Sequence, residues 1–194
     1  MKKLSLCVGC GFDKQISDEL HDWINLDSNP MCRPDRLRDI RKGMPFSDNT
    51  FDLIYCSHVL EHFGGEDFVF IMNELHRILK PYGELTIVSP YYKHFGAWTD
   101  PHHKMFFNEH TFEHYWFPNV TGLNMGINGW FYPIVNEVAE EQELRVIMQK
   151  VSGDVLMDYI NKLGIKKGID NWDTPDFTPM FKDKKYYDLI MVKK

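Results

Sequence analysis

Two glycines and an aspartate carry the first chemical signal in this chain. The short apolar run Leu4-Ser5-Leu6-Cys7-Val8 ends in Gly9-Cys10-Gly11, and eighteen residues after Gly9 a second apolar run, Trp23-Ile24-Asn25-Leu26, ends in Asp27. In a βαβ unit this spacing puts a close-approach loop at the end of one strand and a carboxylate at the end of its neighbour. Gly9 and Gly11 admit a ligand where a Cβ would block it. Asp27 can accept hydrogen bonds from two ribose hydroxyls. The pair forms a cradle for a nucleoside-containing cofactor.

A second concentration of reactive side chains lies further on, in Thr99-Asp100-Pro101-His102-His103-Lys104 and Asn108-Glu109-His110-Thr111-Phe112. Histidine titrates near neutrality and so suits proton transfer. Glu61-His62 can reach a substrate, though such a pair more often caps and orients the helix that follows. Tyr91 and Tyr92 suit a pocket wall or the core. His102, His103, Glu109, His110 and His114 include an i,i+4 histidine pair, but the pattern is not His-Glu-x-x-His and no ligand set is fixed, so no metal is expected. Cys7-Val8-Gly9-Cys10 is formally Cys-x-x-Cys. With no second pair, and with its place inside a strand-to-turn element, it reads as structural.

The elements that must hold these groups alternate. Leu4–Val8, Trp23–Leu26, Phe51–Cys56 and Glu84–Ser89 read as strands. Residues 13–21 are short and polar, which implies an abbreviated first crossover. Glu66–Leu79 reads as a helix, with Phe70, Ile71, Leu75, Ile78 and Leu79 at helical spacing and Lys80-Pro81-Tyr82-Gly83 as its stop. Such alternation predicts a doubly wound, Rossmann-like, mainly parallel sheet with helices on both faces. Glu143–Val151 and Tyr186–Val192 are expected to pair at the sheet edge. Residues 90–133 and 152–181 read as substrate-side or lid segments of a single domain spanning 1–194.

The chain has 194 residues, 43% hydrophobic and 26% charged, with a formal net charge of −6. That length supports one domain with a sizeable core. The acidity argues against a dedicated nucleic-acid binder. No apolar run approaches the ~18 residues needed to span a bilayer, and the start is too short for a secretory leader, so a cytoplasmic location is expected.

The ordered series from residue 4 to about 115 resembles the class I S-adenosylmethionine-dependent methyltransferases of the small-molecule type. The resemblance rests on Val8-Gly9-Cys10-Gly11, Asp27, Asp39-Ile40-Arg41 and Met44-Pro45-Phe46 with Phe51-Asp52. It continues through Ser57-His58-Val59-Leu60-Glu61-His62 and the run from Glu74 to Leu85. It implies seven strands with an antiparallel edge strand, S-adenosylmethionine as cofactor and a small polar metabolite as methyl acceptor. By position, Gly9, Cys10 and Gly11 pass beneath the cofactor's amino-acid part. Asp27 binds the ribose, Asp39 and the Ile40 backbone meet the adenine, and Ser57 lies near the methionine end. Two positions depart from the family pattern: Cys7 replaces the usual acidic residue and Asp13 the third glycine.

The cofactor's sulfonium carries the hard chemistry, so the protein's task is to align the acceptor and take its proton. The family-like base is His103, oriented by Asp100. His62, Tyr91 and His102 are the expected substrate contacts, although His103 can instead simply shape the pocket. Partners reduce to the small-molecule substrate, with no nucleic acid and no membrane; a homodimer is compatible. Two other readings stay open: a nicotinamide-dependent Rossmann oxidoreductase, and a non-catalytic cofactor-binding protein of the same fold.

Overall fold

A computed structural model describes residues 1–116, 122 and 124–152. Its strands are β1 (Lys3–Val8), β2 (His21–Asp27), β3 (Arg36–Leu37), β4 (Phe51–Ser57), β5 (Leu79–Pro90), β6 (Phe131–Ala139) and β7 (Glu143–Lys150). They form one seven-stranded sheet in the order β3-β2-β1-β4-β5-β7-β6. The chain starts in the middle, steps outward through β2 and β3, then returns to β1's other side with β4. β1 pairs in parallel with both β2 and β4. The point where the order reverses, at the carboxyl ends of β1 and β4, is where open sheets of this kind bind ligands.

The antiparallel part differs from expectation. It is a hairpin of β6 and β7, with β7 inserted beside β5. Residues 131–133 therefore belong to a strand and not to the irregular substrate-side segment. The anticipated strand Tyr186–Val192 and the segment 153–181 lie outside the described residues.

Helix α1 (Gly65–Ile78) buries Phe68, Ile71, Met72, Leu75 and Ile78. Three- and four-residue spacing puts these side chains on one face, against β4, β5 and β1. Phe70, expected in that stripe, is 43% exposed because it sits a quarter-turn off the buried face. The carboxyl end of α1 is secured by Lys150, whose ammonium donates to Asn49 Oδ1, His76 O and Leu79 O, each at 2.8 Å. These bonds satisfy carbonyls that a helix end leaves without partners. The first crossover contains no helix: residues 11–20 run as turns and irregular chain. Apart from α1, the helical elements among the described residues are short, including α2 (Gly96–Thr99).

Candidate cofactor and acceptor site

The first wall of the site is the loop after β1. Gly9 and Gly11 both have positive φ, 64° and 53°. A Cβ on Gly9 would stand 2.3 Å from Val59 Cγ2, so only glycine lets the loop pass over the turn that follows β4. Gly9 N and Cys10 N donate to Leu26 O at 2.8 and 3.2 Å. These bonds continue the β1–β2 pairing into the loop and leave the Cys10 side chain buried at 5% exposure. Cys10 is not among the residues that line the cavity of this site. Burial raises the Cys10 thiol and pushes the Cys7 thiol up to about 12, so both stay protonated.

The second wall is the end of β2. Asp27 Oδ2 accepts from Gly11 N and Oδ1 from Asn29 N, each at 2.8 Å. A carboxylate oxygen has two lone-pair sites, so both oxygens keep capacity for a ligand's hydroxyls. Asp39 caps a short 3-10 turn at Ile40–Lys42. Its carboxylate is clamped by Arg41, with Nε to Oδ1 at 3.0 Å and Nη2 to Oδ2 at 2.8 Å. That bidentate pair holds the Asp39 carboxyl below the usual range. Asp39 therefore offers a ligand edge only what Arg41 leaves over. Behind this turn, Glu74 accepts from Met44 N while Arg77 reaches Met44 O and Phe46 O, tying the Met44–Phe46 loop to α1.

Together these pieces enclose a cavity of about 110 Å³ lined by Gly9, Leu26, Asp27, Asp39, Ile40 and Val59, among others. It lies at the reversal of the sheet order. Its acceptor pair and backbone edge fit a ribose and a purine, and its glycine wall fits a chain passing close to backbone. Of the expected cofactor residues, Gly9, Asp27, Asp39 and Ile40 meet here, and Gly11 supports Asp27 from behind. Ser57 does not join them. It lies in a separate groove on the sheet with Tyr55, Thr86, Val88 and Arg145, because alternation along β4 turns Tyr55 and Ser57 to the opposite face from Ile54 and Cys56.

A second cluster is built by the turn Leu60–His62 and the segment after α2. His103 is 7% exposed at its side chain, and its ring packs edge-on against His62 with centroids 4.9 Å apart. Its Nδ1 lies 2.8 Å from Ala97 O. A carbonyl only accepts, so Nδ1 carries the proton and Nε2 holds a free lone pair. The orienting partner is thus a backbone carbonyl in place of the expected Asp100. Asp100 Oδ2 stands 3.9 Å from His103 Nε2, while its Oδ1 is 3.0 Å from Nδ1 of the exposed His102. Tyr91 is 6% exposed and donates to Glu109 Oε1 at 3.0 Å, which makes it wall. His102, at 82% side-chain exposure, points to solvent.

From the sequence, Glu61 either reaches a substrate or, more often for such a pair, caps the next helix; the structure puts it at the centre of this cluster. It is 2% exposed; Ser89 Oγ donates to Oε2 at 3.3 Å, and Oε1 accepts no hydrogen bond. His58 Nδ1 approaches Oε1 at 3.5 Å, and its Nε2 reaches Glu143 at 3.0 Å; the neighbouring carboxylates, Glu61 first and then Glu143, raise the His58 pKa. Three ligating groups, Glu61, His62 and His103, gather within 4.8 Å. The constellation of His102, Glu109, His110 and His114 is not assembled with His103. His102 turns to Asp100, Glu109 to Tyr91 and His110 to Glu113.

Comparison with known proteins agrees with this architecture. Residues 6–87 match the family model described as a methyltransferase domain. A segment of 45 residues is 49% identical to an uncharacterised protein of Methanocaldococcus jannaschii, covering 23% of this chain and 19% of that one. The curated relatives are matched over about a fifth of their length. Among solved structures, a SAM-dependent methyltransferase from Aquifex aeolicus superposes with a TM-score of 0.55 at 16% identity, over 77% of this chain and 82% of that one. A 1,6-didemethyltoxoflavin-N1-methyltransferase from Burkholderia thailandensis, with its substrate and S-adenosylhomocysteine bound, gives 0.55 at 14% identity over 78% and 72%. At such identities the likeness defines the fold. The match to a methyltransferase-domain model over residues 6–87 and the shared fold make the chain similar to the S-adenosylmethionine-dependent methyltransferases.

Proposed function

We propose that this protein is an enzyme that transfers a methyl group from S-adenosylmethionine to an oxygen or nitrogen of a small polar metabolite. The observation that carries the reading is the cavity at the β1/β4 reversal, where the Gly9 loop and the Asp27 carboxylate face the Asp39–Ile40 backbone. When bound, the cofactor supplies an electrophilic methyl; the residues described here hold it, orient the acceptor and keep water out. Asp27 takes the ribose hydroxyls and Ile40 the adenine edge. On the acceptor side, the Nε2 lone pair of His103 takes the proton that a hydroxyl or ammonium acceptor must lose. His62 forms the adjoining wall.

The antiparallel β6–β7 hairpin and the absence of a third glycine at Asp13 disfavour the nicotinamide alternative. A helix packed on that glycine is what a pyrophosphate site requires. Calorimetry with S-adenosylhomocysteine and with NAD tests the assignment. A screen of hydroxylated and aminated metabolites for S-adenosylhomocysteine release then identifies the acceptor. The account expects stoichiometric S-adenosylhomocysteine binding and none of NAD. The reverse result would overturn it, and binding without release across the screen would favour a non-catalytic role.

A further inference from the structure

We propose that Glu61, His62 and His103 form a binding site for one divalent transition-metal ion. Each offers one ligand atom, and the three atoms lie within 4.8 Å of one another. A four-coordinate site with bonds of about 2.0–2.1 Å spaces its ligand atoms by roughly 3.3 Å, so small side-chain rotations close the set. Two imidazoles and one carboxylate select borderline cations such as Zn²⁺ or Co²⁺ over magnesium or calcium, which prefer all-oxygen shells.

Three independent features single out this triad. Glu61 is 2% exposed, and its Oε1 accepts no hydrogen bond. Its neighbours are Ser89 Oγ at 3.3 Å and a half-exposed His58 at 3.5 Å, too little to balance a buried carboxylate. A cation in contact would supply the missing compensation. His103 already has the second-sphere contact of a metal-bound imidazole: Nδ1–H donates to Ala97 O and Nε2 is left free. Finally, the turn after β4 divides its side chains. Val59 and Phe63 line the cofactor cavity, while Glu61 and His62 gather with His103.

The bound ion would keep open coordination positions, as three-ligand sites do. Resting on the methyltransferase reading, those positions would take oxygen donors of the acceptor, such as a hydroxyl or a carboxylate. The Nε2 lone pair of His103 cannot bind metal and accept a proton together. Loading the site therefore changes His103 from base to ligand.

The test titrates Co²⁺ into the chelator-treated, dialysed full-length protein and follows visible absorption, with Zn²⁺ as competitor. We expect one equivalent, displaced by Zn²⁺, with nitrogen–oxygen ligand bands and no sulfur-to-metal charge transfer. Glu61→Gln, His62→Gln and His103→Gln should each weaken binding at least about tenfold, the scale on which lost ligand-sphere groups act. His110→Gln, at an exposed histidine outside the triad, should leave it unchanged. Retained S-adenosylhomocysteine binding shows that a variant is folded. If Glu61→Gln fails that check, the two histidine variants decide. Absence of stoichiometric binding, thiolate bands from the cysteines, or indifference to all three substitutions would overturn the proposal. S-adenosylhomocysteine binding by metal-free protein is read separately, so failure of the metal site and failure of the methyltransferase reading are distinguishable.

Discussion

Asp27 performs two tasks with one carboxylate. It fixes the glycine loop through Gly11 N and, in the proposed function, uses its remaining lone pairs on a ribose. Charge-assisted bonds of this type contribute about 1.5–3 kcal/mol. Asp27→Ala should weaken S-adenosylhomocysteine binding at least about tenfold by calorimetry while the far-ultraviolet circular dichroism stays native. His103 is the other decisive residue. General-base catalysis is worth about 10²–10⁴-fold, so His103→Ala should lower turnover by that order with cofactor affinity nearly constant. A fall of less than about threefold would reduce the ring to pocket wall. Residue type and spacing singled out these two positions in the sequence. Their partners were not legible: Ala97 orients His103 through a backbone carbonyl, which any residue type supplies.

At the level of elements, the site depends on one tight crossing, where the Gly9 loop passes over Val59. Gly9→Ala adds a methyl 2.3 Å from Val59 Cγ2 and forces an L side chain into positive φ. Overpacking costs typically about 1–3 kcal/mol and left-handed backbone about 1–2 more. Thermal melting should show a clear loss of stability, and cofactor binding should fall with it. The β6–β7 hairpin invites the opposite experiment. Its turn is closed by Gln142 N to Ala139 O, with Glu140 and Glu141 both at positive φ, 50° and 57°. That is type I′ geometry, which favours Asn-Gly. Replacing Glu140 by Asn and Glu141 by Gly should raise the melting temperature by a few degrees, about 1 kcal/mol.

This hairpin also shows why part of the fold was hidden in the sequence. β6 carries Pro133, a register shift before Val135, and a burial pattern without clean alternation. The periodic signal of a strand is missing there, whereas Leu4–Val8 and Phe51–Cys56 announce themselves through apolar runs. Ser57 was misplaced for a related reason. Chain position fixes its strand, but the two-residue pleat decides its face, and one position changes the answer. Glu61 was underrated because carboxylates are rarely buried, so sequence favours a cap or a surface.

The whole molecule should carry an acid limit written into its core. His76 packs edge-on against Phe131, and burial, helped by the Lys150 charge, lowers its pKa to about 3. An unfolded histidine titrates near 6.5. Between those values the unfolded chain binds a proton that the folded one refuses, so stability must fall as pH drops from about 6.5 toward 3. Melting temperatures of the native chain and of His76→Gln, followed across that range, should show a shallower decline in the variant. Parallel curves would remove His76 from the account.

The same sheet that buries His76 places the glycine loop, Asp27 and the Asp39 turn at one reversal point, and that convergence is the central claim. Calorimetry of S-adenosylhomocysteine on the full-length protein, beside Asp27→Ala and with NAD as the competing ligand, tests it most directly. The account predicts one site, an affinity at least about tenfold weaker in Asp27→Ala by the magnitudes above, and no heat from NAD. An unchanged affinity in Asp27→Ala, or binding of NAD in place of S-adenosylhomocysteine, would contradict it.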